Sequence, residues 1–152
     1  MKPQLPAPGR RTFVTKGTAG IIGTVAAWAM LWPLRPFAQA VHTMRSFMDR
    51  AFEMKRRAVA EGDQPYGAVV VKDGRIVAES PSRVITANNV NAHAEREALR
   101  LARAALGGND LSGCILVSSS RPCSLCERAA FEAKVARMIH GEALTDAGAP
   151  RG

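Results

Sequence analysis

Apolar positions recur at three- and four-residue steps from Met44 through Phe47, Met48, Ala51 and Phe52 to Val59. That period predicts an amphipathic helix, with Arg45, Arg50, Lys55, Arg56 and Arg57 on its wet face and Gly62 ending it. The pattern then changes. Residues 67–71 (GAVVV) are a continuous apolar run of strand length, Asp73-Gly74 is a two-residue hairpin signal, and Arg75–Glu79 is the returning strand. Ser80 to Asn91 is polar and without period, so it reads as a loop. Helical spacing returns from about Ala92 to Leu106, with Ala98, Leu99, Ala102 and Leu106 inward and Gly107-Gly108 as the stop. Cys114–Ser118 (CILVS) is a second buried strand. Pro122 suits the first turn of a third helix running to about Ala133, and Val135–Ile139 reads as the last strand. Residues 142–152 show no period and read as a weakly ordered tail.

The order is helix, strand, strand, helix, strand, helix, strand. Two β-α-β crossovers beside one hairpin give an α/β fold, a mixed sheet with helices on both faces. Residues 41–141 are enough for one domain with one core.

Residues 1–40 have a different character. They begin basic and proline-rich, then Gly17 to Leu34 is free of charge, and Ala38-Gln39-Ala40 supplies the small residues of an A-x-A cleavage site. Arg10-Arg11-Thr12-Phe13-Val14-Thr15-Lys16 resembles the twin-arginine consensus R-R-x-F-x-x-K at each specified position. Residues 1–40 are therefore expected to be a twin-arginine signal peptide, with the mature chain starting at Val41 and located in the periplasm or exported. The competing reading is an uncleaved anchor, although the run is glycine-rich, carries Pro33 and is barely long enough to span hydrocarbon.

Charge then means less than it first suggests. The formal +8 invites a polyanion, but residues 1–40 hold five of the 21 bases and no acid, leaving sixteen bases against 13 acids in the rest. That mild surplus argues against a nucleic-acid partner and leaves membrane contact only through export.

Three cysteines, Cys114, Cys123 and Cys126, do not make a disulfide framework. Cys114 lies in an apolar strand and reads as core. The other two are spaced C-x-x-C, which suits metal binding or redox chemistry. Two short motifs fall at predicted helix starts: His93-Ala94-Glu95, and Pro122-Cys123-Ser124-Leu125-Cys126. One imidazole and two thiolates suit tetrahedral zinc and leave a fourth position for water, the arrangement of a catalytic site. Glu95, two residues past the histidine, suits proton transfer beside that water. Each motif alone is weak; together, in this order and at two helix starts, they are specific. His42 and His140 are alternative fourth ligands, with a solvated or structural role the plainer reading.

Here the chain resembles the cytidine deaminase-like superfamily, whose zinc enzymes carry H-x-E with P-C-x-x-C. The resemblance runs from about Met44 to Gly141, and is nearest to the branch of guanine, cytosine and tRNA adenosine deaminases. Pro65-Tyr66-Gly67-Ala68-Val69 resembles the branch's P-F-G-A-V, and Asn88-Asn89-Val90-Asn91-Ala92-His93-Ala94-Glu95 its N-D-P-T-A-H-A-E. It implies a three-layer α/β/α sandwich, His93, Cys123 and Cys126 as zinc ligands, Glu95 as proton shuttle, and a homodimer or higher oligomer. Ser82, Ala94 and Tyr66 are the expected substrate contacts. Ser82 stands where the branch usually has a substrate-binding asparagine, and C-S-L-C replaces the common C-P-M-C. Relatives usually continue with further helices that close the pocket, so a short, open pocket is expected.

The function these features predict is hydrolytic deamination of a free base or nucleoside, a small-molecule substrate. Water activated at zinc attacks the amino-bearing ring carbon while Glu95 moves the protons. The alternative is a non-catalytic zinc module, a degenerate relative. Glu95 separates the two, because a structural site does not need it.

Overall fold

The structure is a computed structural model and describes residues 43–152. The predicted signal peptide, the start at Val41 and His42 lie outside the described residues.

Helix α1 spans Met44–Ala60. Thr43 caps it, its hydroxyl accepting from the Ser46 N–H at 3.3 Å. Its buried stripe is Phe47, Met48, Ala51, Met54 and Ala58. Val59, expected inward, is 57% exposed, because the stripe continues through Met54 to Ala58 and leaves residue 59 beyond its edge. Strands β1 (Gly67–Lys72) and β2 (Arg75–Pro81) form the predicted hairpin. Its turn is Asp73-Gly74, with φ of 49° and 71°, the left-handed pair that Asp-Gly tolerates best. After a loop, helix α2 spans Ala94–Leu106 and ends on Gly107 at φ 70°. Leu106 is 39% exposed rather than inward. Strand β3 (Ile115–Ser118), helix α3 (Ser124–Glu132) and strand β4 (Arg137–His140) follow.

Beyond Gly141 the structure corrects the expectation of a loose tail. Thr145–Gly148 is a fifth strand, β5, antiparallel to β4, and Arg151 reaches Glu127 on α3 through its N–H at 3.2 Å and its Nε at 3.1 Å.

The sheet order is β2-β1-β3-β4-β5. β1 is antiparallel to both neighbours and β3 is parallel to β4. The first crossover, β2-α2-β3, therefore joins strands of one direction with β1 between them, and the second, β3-α3-β4, joins neighbours. This is the predicted mixed sheet, and the helices divide into layers. On one face Phe47, Met48 and Ala51 of α1 pack on Val69, Val71, Val117 and Ile139. On the other, Ala98, Leu99 and Ala102 of α2 and Ala130 of α3 pack on Ala68, Val70, Leu116 and Met138. Alternation of Ala68 and Val70 against Val69 and Val71 is the period of a strand covered on both sides. α1 approaches β1 so closely that a Cβ on Gly67 would lie 2.3 Å from the Ala51 carbonyl oxygen.

Candidate metal centre and active site

Two connections bring the chemistry to one end of the sheet. β2 runs out at Pro81 and its loop leads into α2; β3 runs out at Ser118 and leads through Ser119, Ser120, Arg121 and Pro122 into α3. His93 is the N-cap of α2 and makes no capping hydrogen bond with its side chain, so the ring is available for other work. Cys123 is the N-cap of α3, its sulfur accepting from the Cys126 N–H at 3.4 Å. The two helix starts thus meet, and the positive ends of both dipoles point at the gap between them.

The His93 Nδ1 lies 3.5 Å from Cys126 Sγ and 3.8 Å from Cys123 Sγ, and the sulfurs are 3.2 Å apart. Bond lengths to tetrahedral zinc place ligand pairs about 3.5–3.8 Å from one another. The two nitrogen–sulfur separations already fit, and the sulfur pair, with the Cys123 thiol donating to Cys126, is closer than a shared zinc would hold it. Among the described residues no other set of three metal-binding side chains comes together, and the ligand atoms of this one lie within 4.8 Å. His140, the alternative ligand at the end of β4, is not part of it.

Glu95 enters from the first turn of α2. It is 5% exposed and accepts from the Cys126 thiol at 3.6 Å. Burial raises its pKa above the ordinary carboxylate value, against smaller opposing effects of its own backbone N–H, the His93 charge and Cys126. Burial, followed by the Glu95 charge and by Cys123, pushes the Cys126 thiol up. Held by His93, Cys123 and Cys126, a dication would reverse that balance, since a coordinating thiol is deprotonated. The donor set, its spacing and the buried acid beside it all fit zinc.

A cleft of about 480 Å³ opens over the cluster, lined by Gln64, Tyr66, His93, Glu95, Ser120, Arg121 and Cys123. Of the substrate contacts expected from sequence, Tyr66 lines this cleft and is 42% exposed. Ser82 and Ala94 do not. Ala94 is buried in the core between α2 and the sheet. Ser82 is buried behind the cleft, its N–H donating to the Tyr66 carbonyl at 2.9 Å. Its hydroxyl lies near Asp63 and favours that carboxylate's charge, yet completes no hydrogen bond of good geometry. Cys114 is fully buried in the core, as its strand context implies. Gln64, Ser120 and Arg121 were missed. Arg121 had one available signal, its place directly before Pro122-Cys123; Gln64 had none beyond its nearness to Tyr66.

The comparisons agree with this site. The profile of the cytidine and deoxycytidylate deaminase zinc-binding region matches residues 41–142. The guanine deaminase of Bacillus subtilis (strain 168) is 40% identical over 103 residues, covering 67% of this chain and 66% of the relative. A tRNA-specific adenosine deaminase of Agrobacterium fabrum is 39% identical over 95 residues, covering 62% of each. The crystal structure of the B. subtilis guanine deaminase superposes with a TM-score of 0.63 at 38% identity, over 65% of this chain and 64% of that one. The match spans just under two thirds of these relatives' own length. With the profile covering most of the chain and the His93, Cys123 and Cys126 cluster in place, the protein belongs to the zinc-dependent cytidine and deoxycytidylate deaminase family.

Proposed function

We propose that the protein deaminates a free nucleobase or nucleoside hydrolytically. The observation that carries this reading is Glu95: a buried acid on the wall of the cleft that holds His93 and Cys123, in contact with Cys126. A purely structural zinc site has no use for it. His93, Cys123 and Cys126 would hold the metal, which supplies a Lewis acid able to make water nucleophilic near neutral pH. Glu95 takes a proton from the attacking water and delivers it to the ring nitrogen next to the carbon under attack. It then carries the second water proton to the exocyclic amine, which leaves as ammonia, so that water replaces an amino group by a carbonyl and Glu95 ends as it began. Tyr66 offers a ring face at the wall of the cleft and Gln64 an amide for the base edge.

An ammonia-release screen of zinc-loaded protein over purine and pyrimidine bases, their nucleosides and a tRNA fraction tests the reading. Turnover of a base or nucleoside supports it. Turnover of tRNA alone replaces it with an RNA-editing activity like that named for the A. fabrum relative. No turnover at full zinc loading favours the non-catalytic module.

The same proposal includes export. Its support is the Arg10-Arg11 run and Ala38-Gln39-Ala40 in the sequence alone. Replacing both arginines by lysine should hold precursor inside the cell, and unchanged export of that variant would remove the twin-arginine assignment. Among the described residues no helix is long and apolar enough to cross a membrane.

A further inference from the structure

Between β2 and α2 the chain makes a ten-residue loop, Arg83 to Ala92, whose far end delivers His93. The loop is closed on itself: the Arg83 N–H donates to the Ala92 carbonyl at 2.9 Å, the Asn89 N–H to Val84 at 3.0 Å and the Ala92 N–H to Asn89 at 2.9 Å. Its apolar side chains anchor it little between the ends: Ile85 is 60% and Val90 77% exposed, Val84 is half-buried, and only Ala92 beside His93 is buried. What fastens it is a carboxylate from another part of the chain. Asp63, just past the end of α1, accepts from the N–H groups of Val84, Ile85 and Thr86 at 3.1, 2.9 and 2.8 Å and from the Thr86 hydroxyl at 3.0 Å. A fifth bond comes from the Gln64 N–H at 2.8 Å.

Asp63 is buried, and among the described residues no lysine or arginine pairs with it. A buried carboxylate without a counter-ion is costly unless donors surround it. Burial alone would raise its pKa; the Thr86 N–H, the Ser82 hydroxyl, the Gln64 N–H and the Thr86 hydroxyl outweigh burial and hold it well below the usual carboxylate range. Asp63 is therefore charged throughout the working pH range. It also sits beside the cleft wall, since Gln64 follows it directly, Tyr66 comes two residues after that, and Ser82, the residue before the loop, donates its N–H to the Tyr66 carbonyl.

We propose that Asp63 is a positioning residue of the metal centre: its carboxylate clamps the 83–92 loop, so that His93 is presented at the start of α2 in a fixed direction and the Gln64–Tyr66 wall is held against it. The clamp rests on the reading of His93, Cys123 and Cys126 as the zinc site. Ordering the loop beforehand means that zinc binding does not have to order it, which is how outer groups raise the affinity of a ligand set.

The test uses the full chain, zinc alone as probe, competition with a chromophoric chelator, and amide exchange read peptide by peptide. Asp63→Asn keeps the shape and removes the charge. It should weaken zinc binding by about tenfold or more, as loss of a partner behind a metal ligand does. Exchange across 83–92 should quicken while α1 and β1 keep their protection. Asp63→Glu, which retains the charge, should recover part of both. Thr86→Val removes one donor only and should shift both readouts in the same direction by less. If the parent binds zinc and Asp63→Asn binds it equally, with loop exchange unchanged, the proposal falls alone. If the parent takes up no zinc, the metal site itself is wrong and the proposal falls with it. Global loss of protection in Asp63→Asn leaves the decision to Thr86→Val, and an unchanged zinc affinity and loop there would overturn the clamp.

Discussion

At the scale of single residues, the proposed function rests on one side chain, Glu95. Glu95 is buried, which raises its pKa, and a buried carboxylate weakens a fold more often than it helps. Glu95→Ala keeps His93, Cys123 and Cys126, so zinc content by elemental analysis should not change and the melting temperature should hold or rise. Deamination should fall by about 10²-fold or more, the usual contribution of a positioned acid–base group. Glu95→Gln should be nearly as poor, because an amide keeps the shape and cannot carry the proton. Equal rates for Glu95→Ala and parent at equal zinc loading would end the proton-shuttle role. These residues were legible in the sequence because zinc and acid–base chemistry demand particular side chains at short spacings: H-x-E and P-C-x-x-C are each continuous in the chain. Asp63 was not legible. Most of its partners are backbone N–H groups, three of them 21 to 23 residues on, which any sequence would supply, and beside Gly62 it reads only as the end of a helix. Ser82 failed for the opposite reason. Its position in the motif pointed to the substrate, while its short side chain is shut behind the wall.

At the scale of elements, pattern located every helix and four of the five strands among the described residues, and the errors fall where periodicity carries least information. Val59 and Leu106 lie in the last turns of their helices, where the helix leaves the sheet and an apolar residue finds nothing to cover it. Strand β2 continues past Glu79 to Pro81, and β5 has the sequence TDAG, which no apolar alternation marks; it exists because β4 offers an edge. One contact between elements makes a firm prediction. α1 lies on β1 at Gly67, where a Cβ would fall 2.3 Å from Ala51 O and 2.3 Å from Lys55 N, both backbone atoms that cannot step aside without moving the helix. Gly67→Ala should therefore destabilise by about 1–3 kcal/mol or more, the range for overpacking a tight core. Urea unfolding should show it as a lower midpoint at unchanged slope. Because Gly67 also leads from Tyr66 into β1, displacement of α1 should loosen the cleft wall, and the KM for any substrate found should rise with it. A Gly67→Ala midpoint equal to the parent's would mean that α1 does not lie where the structure puts it.

At the scale of the whole molecule, two cores share one sheet among the described residues, and the candidate metal cluster belongs to only one side. α1 has its own face of β1, β3 and β4 and no part in the zinc site. α2 and α3 share the other face, and each begins at a residue of the candidate metal cluster: His93 caps one and Cys123 the other. That arrangement came from topology. The sequence shows two helix starts with metal-binding residues; it takes the β2-α2-β3 crossover over β1 to bring them to the same end of the sheet. Zinc should therefore act as a cross-link between α2 and α3 and stabilise the fold by linkage. At free zinc about a hundredfold above its dissociation constant, the gain is about 2.7 kcal/mol, which for a domain of this size raises the melting temperature on the order of ten degrees. Stripping the metal with a chelator should lower the melting temperature by that amount and quicken amide exchange first in the opening turns of α2 and α3, with α1 and β1 affected least. Cys126→Ala should melt at one temperature with and without zinc, since the variant has lost a ligand. Cys114→Ala supplies the control. Its side chain is buried in the same core but contacts no metal, so the variant should melt lower than the parent and still gain the full zinc increment. A parent whose melting temperature ignores zinc, or a Cys126→Ala variant that keeps the increment, would show that the three side chains do not hold the metal together.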